Sequence, residues 1–443
     1  MLGSNLLLTR PRPSCLVAMV RSAITLAGSP PRDEETRRDV LIDDGKSRAM
    51  NTSPRSKEKH RVHILGAGAV GLFLASKLRL AFPKFPVQAL VRDSQNSVVP
   101  SDDSGPYFSG KIGGSGGAKR PDMRKSTQTV YITVSFLHSY QNKLRMQTIP
   151  IPVERILPSN VDGPQKRIRN LIVATKAYSA IDAIDSVKHR FLNPLTDGDK
   201  TNIVLIGNGV LGIRDELLKG DRISLPDINI HIGFTTHGVV REQSRMDAGT
   251  EITRIHHTGV GHIQLPSSWG QENGIEWSGL LDQAGLECRP PVSEGQMEEA
   301  LWLKLAANCV INPLTALHKC TNGELWTELS DFATIQRKIV EEVSQVAMAE
   351  RSLRMSSDVS NNPANDSLSV ENMMSFCNQV ILDTKNNQSS MLQDVLNSRL
   401  TEADYLTGYI VDKGLKLSIP TPSNSALLER IHNLQLTFDS KNN

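Results

Sequence analysis

Lys304, Asn308 and Asn312 recur at four-residue intervals in the segment Glu298 to Leu325, EEALWLKLAANCVINPLTALHKCTNGEL. On a helix they stack on one face. The rest of the segment is apolar all round: from Glu298 to Ile311, Leu301, Trp302, Leu303, Leu305, Ala306, Val310 and Ile311 surround the cylinder, which predicts a helix enclosed by other protein. Met297, Leu301 and Leu305 share the polar face. An ammonium and two amides within such a stripe cost several kcal/mol unless something pairs with them. A ligand is one such partner. The alternative is a Lys304 that extends its stem to water and an Asn308 that caps a neighbouring turn.

A second constellation lies upstream. In RVHILGAGAVGLFLASKLRLAF, Gly66, Gly68 and Gly71 form GxGxxG between a short apolar strand, Val62 to Leu65, and a helix. In that context the turn Gly66, Ala67, Gly68, Ala69, Val70, Gly71 can bring backbone close to a pyrophosphate at the helix N-terminus. The strand VQALVRD follows at strand–helix–strand distance and ends in Arg92. An acidic residue there would accept from the ribose 2′-hydroxyl of NAD, whereas an arginine pairs with a 2′-phosphate, so Arg92 predicts NADPH. The adjacent Asp93 works against that, and a solvated charge at a strand end is the other reading. Lys176 follows the buried-type strand NLIVATKAY, and Asn208 ends NIVLIGNGV. Both fall at carboxyl ends of strands, where a parallel sheet forms its crevice, although turn chemistry also accounts for Asn-Gly.

These residues need elements to hold them. Strands alternate with helices as far as the helix Ser179 to Phe191 and the strand NIVLIGNGV, which predicts a doubly wound parallel sheet. TVYITVSF reads as a strand, IPIPV as an edge segment, and HIGFTTHGVV and EITRIHHTGVGHIQL as closing strands before a boundary near Pro290. Beyond it the pattern is helical, with helices at Asp331 to Arg351, Val370 to Lys385 and Glu402 to Leu415. The expected domains are residues 60–290 and 291–443, preceded by an extension over 1–59. Polar insertions fall at 94–126 and 356–369.

The extension has no acidic residue before Asp33 but carries Arg10, Arg12, Arg21 and Arg32 among Ser, Leu and Thr. That resembles a transit peptide, with a disordered extension as the alternative, so a mitochondrial or a cytoplasmic location is expected. A net charge of +3 and 39% hydrophobic residues point to neither nucleic acid nor an anionic membrane. No run is expected to reach membrane-spanning length. Cys15, Cys288, Cys309, Cys320 and Cys377 are odd in number and lack CxxC spacing, so reduced thiols are expected. His237, His256, His257 and His262 lie on strand-like segments without a matching carboxylate pattern, and no metal site is expected.

Taken together, GAGAVG, VQALVR, ATKAY, GNGVLGIRDEL, FTTHGVV, HHTGVGHIQL, WLKLAANCVINPLTAL, TNGEL, SSMLQDVLNSRLTEADYLTGYIV and IPTPSN resemble the ketopantoate reductase (2-dehydropantoate 2-reductase) family, from the glycine loop nearly to the C-terminus. The resemblance implies a Rossmann-like N-terminal domain, an all-α C-terminal domain and an active site in the cleft between them. It implies NADPH-dependent reduction of 2-dehydropantoate to pantoate in pantothenate biosynthesis; a monomer or homodimer is expected. Residue by residue, it makes Lys304 the catalytic lysine and Asn308, Asn312, Asn322 and Ser390 substrate contacts. Glu402 becomes the acidic residue that meets both reaction site and cofactor. Ala403 departs from the branched apolar residue usual in the family.

Reducing a 2-keto acid takes a hydride at carbon and a proton at oxygen, and a cationic donor best stabilises the developing alkoxide. Lys304 suits that role, burial lowering its pKa and Glu402 raising it. SSMLQD also reads as a capped helix start. Two alternatives stay open: a reductase of another small 2-keto acid, and a non-catalytic organellar regulator on the same fold.

Overall fold

The computed structural model describes residues 61–84, 86–91, 127–137, 144–156, 167–192, 199–219, 228–242, 245–247, 250–269, 277–354 and 366–439. These residues form two compact units that divide between Met297 and Glu298. Arg92, the N-terminal extension, the insertion at 94–126 and most of that at 356–369 lie outside the described residues.

In the first unit β1 (Val62–Leu65), α1 (Ala69–Ala81) and β2 (Val87–Val91) open the chain. They are followed by β3 (Thr127–Leu137), β4 (Leu144–Arg155), β5 (Asn170–Val173), α2 (Ala180–Val187), β6 (Thr201–Ile206) and α3 (Val210–Lys219). Then come β7 (Ile228–Thr235), β8 (Gly238–Arg241), β9 (Arg245–Asp247), β10 (Thr250–Gly259), β11 (Ile263–Gln264) and α4 (Trp277–Gln283). The sheet order is β11-β7-β6-β5-β1-β2-β4-β3-β10-β8, with β9 paired to β10. From β7 through β6, β5, β1 and β2 to β4 every pairing is parallel. The chain therefore starts in mid-sheet and winds outward both ways, the doubly wound arrangement. Every residue of β1, β5 and β6 is buried, as expected of strands covered on both faces. Helix α1 buries Leu72, Phe73, Leu74, Ala75 and Leu78.

Three sequence expectations change. IPIPV is part of a longer strand than expected: it lies within β4, which pairs with β3 along its length but with β2 only from Val153 on, so among the described residues Ile149 to Pro152 keep an open edge on the side away from β3. Its prolines fit because β2 reaches only Val153, Glu154 and Arg155. Pro150 and Pro152, two residues apart, point their missing N–H groups to the same edge of the strand. The helix from Ser179 to Phe191 is divided, with 3-10 turns at Ala177–Ser179 and Lys188–Arg190 flanking α2. The helix expected from Glu402 begins later, because Glu402 caps a 3-10 turn, Ala403–Tyr405, ahead of the helix proper at Thr407.

The second unit is helical. Helix α5 (Glu294–His318) opens with a reciprocal cap: Ser293 N–H donates to Gln296 Oε1 at 3.1 Å and Gln296 N–H to Ser293 Oγ at 3.3 Å. At 25 residues, with a mean hydropathy of 1.3 over an 18-residue stretch, it is long and apolar enough to cross a membrane, contrary to the sequence expectation. Its burial on all sides marks it instead as the core helix, with Leu301, Trp302, Leu303, Leu305, Ala306, Cys309 and Val310 enclosed. Around it run α6 (Leu325–Glu328), α7 (Phe332–Arg354), α8 (Val370–Asp383), α9 (Ser390–Leu396), α10 (Thr407–Leu417) and α11 (Pro422–Asp439). The buried Glu342 carboxylate accepts from the N–H groups of Ser423 (2.7 Å) and Asn424 (2.9 Å), fixing the start of α11. Pro422 opens that helix, where its missing N–H costs nothing.

Candidate active site

The glycine turn is built from backbone constraints. Gly66 has φ +110, outside the range of ordinary L-residues, and a Cβ there would stand 2.9 Å from Thr175 Cγ2. A Cβ on Gly71 would stand 2.0 Å from the Gly66 carbonyl oxygen. Both positions therefore demand glycine. Gly68, the N-cap of α1, is the opposite case, with nothing within 4 Å of where its Cβ would be. Ala69 and Val70 form the first turn, which carries no acidic residue. Arg241 Nη1 donates to the Ala67 carbonyl at 2.9 Å, tying the turn to β8.

Close packing also brings the next strand ends alongside. Thr175 lies against Gly66, and a Cβ on Gly207 would be 3.9 Å from the Thr175 carbonyl oxygen. Lys176 and Asn208, each one residue further on, are half-buried. The turn after Asn208 uses Gly209 at φ +66, so the Asn-Gly turn reading holds for the backbone. Open space over Gly68, the N–H groups of a helix start without a side-chain cap and a first turn without a carboxylate are what a pyrophosphate needs.

In the second unit Lys304 is half-buried on α5, among the buried Leu301, Leu303 and Leu305. Burial pushes its pKa down from 10.5 to about 8, and the Glu402 carboxylate opposes that shift. Glu402 is itself buried. Further along the same face Asn308 is half-buried. Asn312 is buried, and its amide nitrogen has no hydrogen-bond partner among the described residues. An orphaned buried donor of this kind costs about 1–3 kcal/mol.

Three segments are sewn together at the far end of α5. Asn322 N–H donates to Asn387 O at 3.0 Å, and Gly323 N–H to Lys385 O at 2.9 Å. Thr315, a buried residue not singled out in the sequence, donates to Ile311 O at 2.7 Å and lies 2.7 Å from Ser389 Oγ. Ser389 Oγ also accepts from Leu392 N–H as the N-cap of α9. Of the two serines in SSMLQD the buried one is thus Ser389, its hydroxyl committed to structure. Ser390 is exposed at the first position of the helix. The sequence signal for Ser389 was the N-cap pattern, which fits either serine.

The histidines are engaged elsewhere. His237 Nδ1 lies 3.1 Å from His257 Nε2, and His237 Nε2 lies 3.0 Å from the Leu286 carbonyl. Burial lowers the pKa of both, that of His257 to about 4, and so favours the neutral ring in each. His262 pairs with Thr236 and His256 with Glu242. Among the described residues no three His, Cys, Asp or Glu side chains are grouped to hold a metal. The four described cysteines are free thiols.

A doubly wound sheet opened by a glycine turn, followed by a helical unit, defines a Rossmann-like fold of the dinucleotide-binding class. Sequence comparison narrows this. The family described as ketopantoate reductase PanE/ApbA matches residues 128–268, and its C-terminal part, ketopantoate reductase PanE/ApbA C terminal, matches residues 296–435. The 2-dehydropantoate 2-reductase of Escherichia coli O157:H7 is 32% identical over 269 residues, 61% of this chain and 75% of that enzyme. That of Vibrio cholerae is 35% identical over 217 residues, 48% of this chain and 64% of the enzyme, so the match spans slightly less than two thirds of that relative. The chain belongs to the ketopantoate reductase family. Solved structures agree on the fold. A D-mandelate dehydrogenase with NADH and anilino(oxo)acetate covers 86% of this chain and 99% of its own at TM-score 0.58 and 20% identity. A probable 2-dehydropantoate 2-reductase from Bacillus subtilis covers 84% and 99% at TM-score 0.52 and 22% identity.

Proposed function

We propose that this chain is an NADPH-dependent reductase of 2-dehydropantoate, with Lys304 as the general acid. The observation that carries the reading is the state of Lys304: an ammonium on a buried helix face, its pKa pushed down to about 8 while Glu402 opposes complete loss of the charge. A general acid works best with a pKa near the working pH. The relatives named 2-dehydropantoate 2-reductase support the substrate, and Arg92, at the end of VQALVR, supports the 2′-phosphate.

Bound NADPH would supply the hydride, held by the turn from Gly66 to Gly71 with Arg92, Lys176 and Asn208, and with Glu402 as a further contact. Lys304 Nζ donates a hydrogen bond to the keto oxygen and passes it the proton as the alkoxide forms. Glu402 keeps the lysine charged until then and orients it. Asn308, Asn312, Asn322 and Ser390 hold the carboxylate and hydroxyl of the acid, the orphaned Asn312 amide gaining the acceptor it lacks. The direct test is oxidation of NADPH, and of NADH in parallel, with 2-dehydropantoate and a panel of small 2-keto acids. Turnover of 2-dehydropantoate with NADPH preferred is the expected result. A chain that binds NADPH yet reduces none of the acids defeats the reading, and preference for NADH defeats the role of Arg92.

A further inference from the structure

Asn322 holds its amide in an orientation that a neighbouring residue dictates. Thr384 ends α8, and its hydroxyl oxygen lies 2.6 Å from the Val380 carbonyl oxygen. Two oxygens approach that closely only with a proton between them. A carbonyl has none, so the Thr384 hydroxyl is the donor and only its lone pairs remain. Asn322 Nδ2 lies 2.8 Å from that same hydroxyl oxygen. An acceptor there can be met only by the NH2 group of the amide. The carbonyl oxygen of Asn322 must then face the other way. It is buried, and no described residue donates to it.

The backbone prevents easy relief. Asn322 N–H and Gly323 N–H are both bonded to the segment that follows α8, and a Cβ on Gly323 would stand 2.7 Å from Lys385 Cβ. What remains is a fixed acceptor awaiting a donor. The carboxylate and ketone of a 2-keto acid are acceptors only. A hydroxyl elsewhere on the acid is the group that can satisfy it.

We propose that Thr384 is a positioning residue that determines specificity: by fixing the Asn322 amide it makes the site require a hydroxyl group on its 2-keto acid. This rests on the reading of the chain as a 2-keto acid reductase. 2-Dehydropantoate carries such a hydroxyl, and trimethylpyruvate is the same acid with CH3 in place of CH2OH. The experiment measures binding of both acids by calorimetry to the full chain loaded with NADP+, which prevents turnover. Wild type is expected to favour 2-dehydropantoate by about 10- to 100-fold, the cost of leaving a buried acceptor unpaired. Thr384→Val removes the acceptor that holds the NH2 group, so the Asn322 amide is no longer fixed facing the acid and can swing away from it. The preference should fall to about threefold or less, mainly through weaker 2-dehydropantoate binding, while trimethylpyruvate binding changes little. Thr384→Ser keeps the hydroxyl and should keep the preference. Should Thr384→Val fail to fold, Thr384→Ala serves in its place. Equal binding of the two acids by wild type, or a preference that survives loss of the hydroxyl, overturns the proposal alone. Binding of NADP+ with neither acid bound overturns the reductase reading and the proposal together.

Discussion

The glycine turn of the first unit and the polar face of α5 in the second are built from opposite parts of the residue. At Gly66 and Gly71 the requirement falls on backbone: no side chain fits, and the groups offered to a ligand are amide N–H. On α5 everything depends on side-chain atoms, the Lys304 ammonium and the amides of Asn308 and Asn312, on a 25-residue helix that carries Pro313 in its interior. The difference teaches where each unit is vulnerable. A glycine turn should fail by misfolding and a polar face by losing function.

The sharpest way to break that contrast is Lys304→Ala. Loss of the general acid should lower kcat by about 10²- to 10⁴-fold, while NADPH affinity stays within about twofold by fluorescence titration. A parallel loss of NADPH binding would mean that the two sites are not separable. Next comes Gly71→Ala, whose Cβ collides with the Gly66 carbonyl. It should cost about 3 kcal/mol or more in denaturant unfolding. Gly68→Ala, with open space at its Cβ, should cost only about 1 kcal/mol or less, as a poorer N-cap, and weaken NADPH binding. If Gly71→Ala melts like wild type, the turn is not as tight as its geometry requires.

A third prediction concerns pH. The pKa of Lys304 is about 8 in the folded protein against 10.5 for an ordinary lysine. Between those values the unfolded chain binds the proton more tightly, so stability attributable to this group rises from about pH 8 to 10.5. Below pH 8 the buried charge is a full penalty. Lys304→Met should therefore stabilise the unliganded protein by roughly 1–3 kcal/mol at neutral pH, with the gain fading at higher pH. The wild-type reduction rate should fall as pH rises through about 8. A melting temperature unchanged by Lys304→Met would show that the lysine is solvated after all. The smallest effect separates the two serines. Ser389→Ala should cost about 1 kcal/mol as a lost N-cap, whereas Ser390→Ala should raise KM and leave stability alone.

Much of the fold was legible because apolar runs and glycine spacing are direct records of burial and backbone geometry. β1 reads as a short apolar strand, β5 and β6 as buried ones, and α5 as an enclosed helix. Harder to read was anything set by non-local pairing. IPIPV reads as an edge because prolines forbid a full ladder, and its margin away from β3 is one; that the same strand runs on to pair with β2 at Val153 to Arg155 is not written in those prolines. The late start of α10 depends on the 3-10 turn after Glu402, which periodicity does not record. In the site, the face carrying Lys304 and Asn312 followed from spacing alone. Thr315, Ser389 and Thr384 did not, because hydroxyls that lock other polar groups look like any Ser or Thr until their partners arrive from distant segments.

The prolines of β4 bear on the chain's behaviour in solution as well as on its pairing. Beyond Val153, toward Leu144, the margin of β4 away from β3 has no partner strand among the described residues. Ile149 and Ile151 are buried there, while Pro150 is exposed. An uncovered margin with alternating isoleucines invites a strand from another molecule. Pro150 and Pro152 deny that strand two successive donors, which discourages self-association along this margin.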